Sequence, residues 1–250
     1  MWLVLCDRND AAGVWIHSAL RSRGLAPLGL VTGEDLAFCD GWEHRVGRSG
    51  ATIRFRLESG LTIRGEDLRG VVNRLYTAPI PQWRSARKVD REYVQQELLA
   101  FHMSWLHALR CPVLNRPTPQ GLCGQWRPES EWVWLAQKAG LQTPRYRQST
   151  RDRIDEASGQ RRLLPPGALV RTAIVVEGIA TGERIPPAVA EGCRRLWRLA
   201  GSAFLGIDFA EGAAGPWTFA GATPVPDLRL GGELLAATVL ARLTAPAAST

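Results

Sequence analysis

Trp2-Leu3-Val4-Leu5-Cys6 opens the chain as an uninterrupted apolar run, followed by the polar stretch Asp7-Arg8-Asn9-Asp10-Ala11-Ala12-Gly13. From Val14 to Arg23 the apolar residues Val14, Trp15, Ala19 and Leu20 recur at helical spacing, and Gly24 suits a C-cap. Leu28 to Val31 is a second apolar run. Buried strand, helix and buried strand in that order predict a parallel α/β layer. Gly70-Val71-Val72-Asn73-Arg74-Leu75 reads as a further buried strand whose carboxyl end carries polar residues. Open α/β sheets hold their ligand groups at such ends.

Outward from this core the texture changes. Trp42–Val46, Thr52–Leu57 and Leu61–Arg64 are short and alternating, with Glu58-Ser59-Gly60 as a turn, which predicts antiparallel strands with one wet face. Tyr76–Ser85, rich in proline and aromatics, predicts a loop. Asp90 to Leu109 is the clearest helix, with Val94, Leu98, Phe101, Trp105 and Leu109 three or four residues apart. Further on, the pattern predicts helices over 129–139, 187–200 and 233–243. Strands are predicted over 168–177 and 204–209, the latter with a hairpin partner at 217–220. Arg151 to Pro166 reads as a charged, then proline-rich surface segment.

Composition bounds the function classes. The 250 residues are 45% hydrophobic and 22% charged, an ordinary globular balance, and no apolar stretch approaches the length of a membrane span. Five apolar residues without a basic leader do not predict a secretory signal. Cys6, Cys39, Cys111, Cys123 and Cys193 are scattered without CxxC spacing, so neither a disulfide framework nor a structural zinc site is expected, and a cytoplasmic location fits. The net charge is +7, and only Lys88 and Lys138 are lysines. Arginine in this excess fits either an arginine-biased proteome or an anionic partner.

Single motifs exclude more than they assign. The loop at 7–13 lacks GxGxxG and the Walker pattern. His102 and His107 are five apart without HExxH, and are expected as a boundary and a surface residue. Asp90 and Glu97 share a helix face that reads as solvated. Ser202 is not in a GxSxG elbow. The ten tryptophans are many for this length. Trp83, Trp126, Trp132 and Trp134 flank Arg84, Arg87, Arg127 and Arg145, which fits core packing or a binding surface. No nucleic-acid-binding signature is present. That class would predict strong salt dependence.

The order of segments carries a resemblance. Val71-Val72-Asn73-Arg74 is followed by Asp90, Arg91 and Glu97 on a long helix. Then come Val113-Leu-Asn115-Arg-Pro117 and Ala136-Gln-Lys138-Ala-Gly140-Leu-Gln-Thr-Pro144. Val170-Arg171 through Gly178, Phe204-Leu-Gly206-Ile-Asp208-Phe209 and Phe219-Ala-Gly221-Ala-Thr223-Pro224 continue it. The succession resembles the RimK-like branch of the ATP-grasp ligases over about 170 residues. It runs from a "WxR" strand through "VNP" and "L..aGL.vP.T" to "GLDF" and "FLEVNPxP". The resemblance implies a chemistry in which ATP phosphorylates a carboxylate and an amine attacks the acyl-phosphate. Two lysines and a glycine-rich loop would hold the phosphates. An acid from "GLDF" and the Glu and Asn of "EVN" would hold magnesium.

The chain departs from that pattern at several positions. The "EVN" acid falls on Gly221 and its Asn on Thr223. Arg127, Pro128 and Glu129 stand where the first lysine belongs. Only 25 residues, Arg145 to Leu169, separate Pro144 from Val170, with no lysine among them. The nucleotide-covering lobe is therefore expected to be largely missing. The resemblance leaves Asp208 as the metal candidate, and Arg171, Asn73 and Arg74 as substrate or phosphate ligands.

The expectation is an α/β protein with a Rossmann-like pre-ATP-grasp domain over 1–115 and a reduced ATP-grasp-like α+β domain over 116–250. Its expected role is that of a pseudoenzyme, a binding or scaffolding subunit for a peptide or partner enzyme in a modification pathway. The alternative is an active minimal ATP-dependent carboxylate–amine ligase, and ATP and magnesium are expected only in that case. It would use Asp208, Arg171 and Glu177 or Glu183, with a loop built from Gly159, Gly167, Gly178 and Gly182.

Overall fold

The computed structural model describes residues 1–48, 50–79, 87–146, 169–212 and 215–245. The chain divides into two compact units, Met1–Gln125 with Asp227–Thr250, and Trp126–Pro226. The division falls ten residues beyond the expected 115, and the C-terminal helix belongs to the first unit.

The first unit is built on a parallel sheet of β1 (Trp2–Cys6), β2 (Leu28–Thr32), β6 (Gly70–Arg74) and β7 (Val113–Leu114), in the order β2-β1-β6-β7. The apolar run of β1 is what a strand buried on both faces requires. One face is covered by α1 (Ala11–Ser22), which passes directly over the end of β1. A Cβ on Gly13 would stand 2.6 Å from the Cys6 Cβ, so only glycine permits that approach. α1 begins three residues before the apolar periodicity does. Asp10 caps it, accepting from the Ala12 N–H at 3.1 Å. A short α2 (Gly33–Ala37), unforeseen in the sequence, is held by the capping box of Thr32 and Asp35.

Leu3, Leu5, Val31 and Val71 on the other face share one core with Ile53, Phe55, Trp105 and Leu106. β3 (Gly41–Gly47), β4 (Gly50–Arg56) and β5 (Thr62–Arg64) form the expected antiparallel sheet. Its inner side is closed by α3 (Lys88–Ala108): Trp42 lies 4.2 Å from Phe101, and Phe55 lies 5.2 Å edge-on to Trp105. Burying each of Phe55 and Trp105 contributes on the order of 2–3 kcal/mol.

His102, expected at a boundary or the surface, is instead 2% exposed within this layer. Its Nδ1 accepts from the Trp105 Nε1–H at 3.0 Å, and burial pushes its pKa down to about 4. Local spacing could not reveal that the polar atom is satisfied by an indole one turn away.

The second unit is a helix pair on an antiparallel sheet. Its elements are α4 (Glu129–Lys138), β8 (Val170–Val176), β9 (Ile179–Thr181), α5 (Pro187–Ala200), β10 (Phe204–Gly212) and β11 (Gly215–Thr223), with strands in the order β11-β10-β8-β9. Ala173, Val175, Leu205, Ile207, Phe209 and Phe219 on one sheet face pack with Trp132, Ala136, Cys193 and Leu196 of the helices. Two arginines tie the helix ends together. Arg127 donates to the Ala200 carbonyl at 3.2 Å, and Arg195 to the Ala139 carbonyl at 2.8 Å. The charged segment 151–166, with Gly159 and Gly167, lies outside the described residues, as do Trp83 and Arg84. The last described helix is α6 (Gly232–Thr244), in the first unit, near whose end the Leu243 carbonyl accepts from the Trp2 indole at 3.4 Å.

Candidate functional site

The carboxyl ends of β1, β2 and β6 bring Cys6, Thr32 and Arg74 into register. Arg74 is 3% exposed and its guanidinium meets the Asp10 carboxylate in a two-pronged pair, Nε to Oδ2 at 2.6 Å and Nη2 to Oδ1 at 3.0 Å. Asp10 thus serves as cap of α1 and as counterion of Arg74. Beside it, burial pushes the Asp7 carboxyl above its ordinary range, and the neighbouring Asp10 and Glu34 charges add to that.

Asn73 is fully buried. Its Nδ2 donates to the Asn115 carbonyl at 2.9 Å and the Leu122 carbonyl at 2.8 Å, and its Oδ1 accepts from the Leu75 N–H at 3.2 Å. The Cys123 thiol donates to the Asn73 carbonyl at 2.9 Å, and Asn115 Nδ2 donates to the Cys123 sulfur at 3.4 Å. This network clamps the segment after β7 onto the end of β6. Burial pushes the Cys123 thiol up to about 12, so it is a neutral packing group. Sequence reading missed Asp10 and Cys123; the only local signal for Asp10 was its position before a helix.

In the second unit, Asp208 lies on β10 opposite Thr172 of β8 and Gly221 of β11. Its Oδ1 accepts from the Thr172 Oγ1–H at 2.7 Å. Thr223 lies on the same sheet face, two residues beyond Gly221, and its Oγ1 accepts from the Val225 N–H at 3.2 Å. A Cβ on Gly221 would meet nothing within 4 Å. Asp208, Gly221 and Thr223 therefore share one sheet face, and of the three only Asp208 bears a carboxylate.

Arg171 does not join them. It is opposite Phe209, on the core-facing side of the sheet, and its guanidinium lies 5.7 Å over the Trp217 ring. Side chains alternate faces along a strand, so Arg171 and Asp208 point to opposite sides. Glu177 stands in the β8–β9 turn with φ +48°, five residues from Thr172, roughly 16 Å along the strand. Arg127, at the first lysine position, pairs with Glu131 and stacks over Trp132. Trp126 and Trp134 are exposed, the latter 3.9 Å from the Lys138 ammonium.

No family model matches the sequence, and no curated protein matches it. Solved structures do match, along nearly the whole chain. Macrocyclase MdnB from Microcystis aeruginosa MRC is 15% identical with a TM-score of 0.70, over 98% of this chain and 99% of that one. Macrocyclase MdnC of the same organism, bound with precursor peptide MdnA, is 11% identical with a TM-score of 0.71, over 97% and 99%. A RiPP-associated ATP-grasp ligase from Chryseobacterium gregarium, in complex with ADP and a leader and core peptide, is 10% identical with a TM-score of 0.69, over 100% and 98%. The fold is that of the ATP-grasp ligases, a mixed α/β architecture with parallel and antiparallel sheets.

The residues present do not fit the magnesium site that fold implies. Octahedral magnesium takes hard oxygen ligands, usually one or two carboxylates beside waters and substrate phosphates. Here Asp208 is partnered by a hydroxyl, Gly221 supplies no side chain, and Thr223 accepts from its own loop. No group of three His, Cys, Asp or Glu side chains suited to a metal occurs among the described residues.

Proposed function

We propose that this chain is a degenerate, RimK-like ATP-grasp protein that binds a peptide substrate or a partner enzyme in a peptide-modification pathway without complete ligase chemistry of its own. The observation that carries the reading is the cross-strand pair Asp208–Gly221. Where the fold's chemistry needs paired carboxylates, the chain has one acid facing a residue without a side chain. The short interval between Pro144 and Val170 and the internal engagement of Arg127, Arg74 and Asn73 support it. The peptide partner is suggested by the precursor peptides bound to MdnC and to the Chryseobacterium ligase. We propose a cytoplasmic location, in keeping with five unpaired cysteines and no described helix long and apolar enough to cross a membrane.

The second reading is an active minimal carboxylate–amine ligase using ATP and magnesium. The partly exposed Asp208, with open space above Gly221, favours it. Calorimetric titration with ATP and magnesium separates the two, beside an Asp208→Ala control. The degenerate reading expects no binding at millimolar ATP. Micromolar binding that disappears in the control would transfer the conclusion to the ligase.

A further inference from the structure

Between the inner face of the β3–β4–β5 sheet and the last turn of α3 lies a cavity of about 300 Å³. Ile53, Leu68, Trp105 and Leu109, all buried, form its apolar wall, and His44 completes that wall. His44 faces inward from β3, opposite Ile53 in the register and 6.0 Å edge-on to the Phe101 ring. Its Nε2 is buried and has no hydrogen-bond partner among the described residues. A buried polar atom left unsatisfied carries its full desolvation cost, so nearly all such atoms are partnered. Here the orphan belongs to a residue in the wall of a cavity, where a bound group can reach it. Leu68 and Cys111, also in the wall, lead into β6 and β7. The cavity therefore sits at the amino ends of those strands, whereas the Arg74–Asp10 pair stands at the carboxyl end of β6.

We propose that this cavity binds a neutral aromatic molecule of two fused rings that bears a hydroxyl. The hydroxyl meets His44 Nε2, and the rings pack among Ile53, Leu68, Trp105 and Leu109. A hydroxyl both donates and accepts, so it satisfies Nε2 in either imidazole tautomer. An apolar cavity of roughly 150 Å³ holds benzene, so about twice that volume suits two fused rings. Trp105 in the wall favours an aromatic body, because ring pairs in edge or offset contact gain beyond their buried area. Exposed Glu66 and Arg110 border the cavity with one charge of each sign, which favours neither an anion nor a cation. The inference goes beyond the reading above and stands whether or not the chain is a ligase.

The test is equilibrium dialysis of the full chain against 2-naphthol at neutral pH, with naphthalene as the same body without the hydroxyl. 2-Naphthol should bind at micromolar concentrations and about fivefold more tightly than naphthalene, the margin of one net hydrogen bond. His44→Phe keeps a ring but removes Nε2, and should erase that margin. It should melt no lower than the parent, because it removes an unsatisfied buried polar atom. Ala51 lines the same cavity on β4, so Ala51→Trp should fill the space and lose both ligands, with a circular dichroism spectrum like the parent's. The proposal is overturned if the parent does not bind 2-naphthol, if it binds both molecules equally, or if His44→Phe keeps the margin. Unchanged binding by a folded Ala51→Trp overturns it as well. None of these outcomes bears on the titration with ATP and magnesium, so the two readings stand or fall separately.

Discussion

Asp208 and Gly221 are direct cross-strand partners on β10 and β11, with open space where the glycine's side chain would be. An acid at 221 would therefore extend from the same face as Asp208 without displacing a neighbour. Gly221→Glu combined with Thr223→Asn should create divalent-cation binding at least tenfold tighter than in the parent, measured by manganese titration in the presence of magnesium competitor. Adding Asp208→Ala should remove it. A rebuilt variant that folds and binds no better would show that the missing acid is not the deficit.

The Arg74–Asp10 pair is nearly buried, at 3% and 15% side-chain exposure. Deleting one partner leaves a desolvated charge, so Asp10→Ala should cost about 3 kcal/mol in urea unfolding. The same variant exposes what Arg74 can bind. Inorganic phosphate should raise its melting temperature and leave the parent unchanged. An equal shift in both proteins would mean that Arg74 already accepts anions in the native chain.

Asn73 is fully buried and satisfies two backbone carbonyls, those of Asn115 and Leu122. Asn73→Ala should destabilise by about 2–3 kcal/mol, since unsatisfied buried acceptors carry their full desolvation cost. Limited proteolysis should then cut between Asn115 and Cys123 faster than in the parent. Unchanged proteolysis would remove the clamp from the account.

His102 is neutral in the core, with its pKa lowered by burial to about 4 from an ordinary 6.5. The unfolded chain therefore binds the extra proton first as pH falls. Stability should be intact above about pH 6.5 and decline toward pH 4, by roughly 3 kcal/mol across the window from this group alone. Guanidinium midpoints between pH 4 and 7 should show that slope, and His102→Gln should flatten it. A parallel slope in the variant would assign the acid sensitivity elsewhere.

The sequence by itself determined most of the elements and their order, the short α2 excepted. Apolar runs marked β1, β2 and β6, alternation marked the β3–β4–β5 sheet, and the spacing of Phe101, Trp105 and Leu109 marked α3, because period is a local property of the chain. The succession of segments also led to the ATP-grasp fold that the solved structures share, and to Asp208 and Gly221 as the positions to compare. Which face each of those side chains occupies was settled by tertiary structure. Asp208 takes its register from Thr172, 36 residues away, and a slip of one residue would have placed it on the side of Arg171. Arg74 finds Asp10 across 64 residues, and the exposed Arg54 meets Arg64 only through strand pairing. Partners distant in sequence are chosen by packing and hydrogen-bond register, which short-range patterns do not encode.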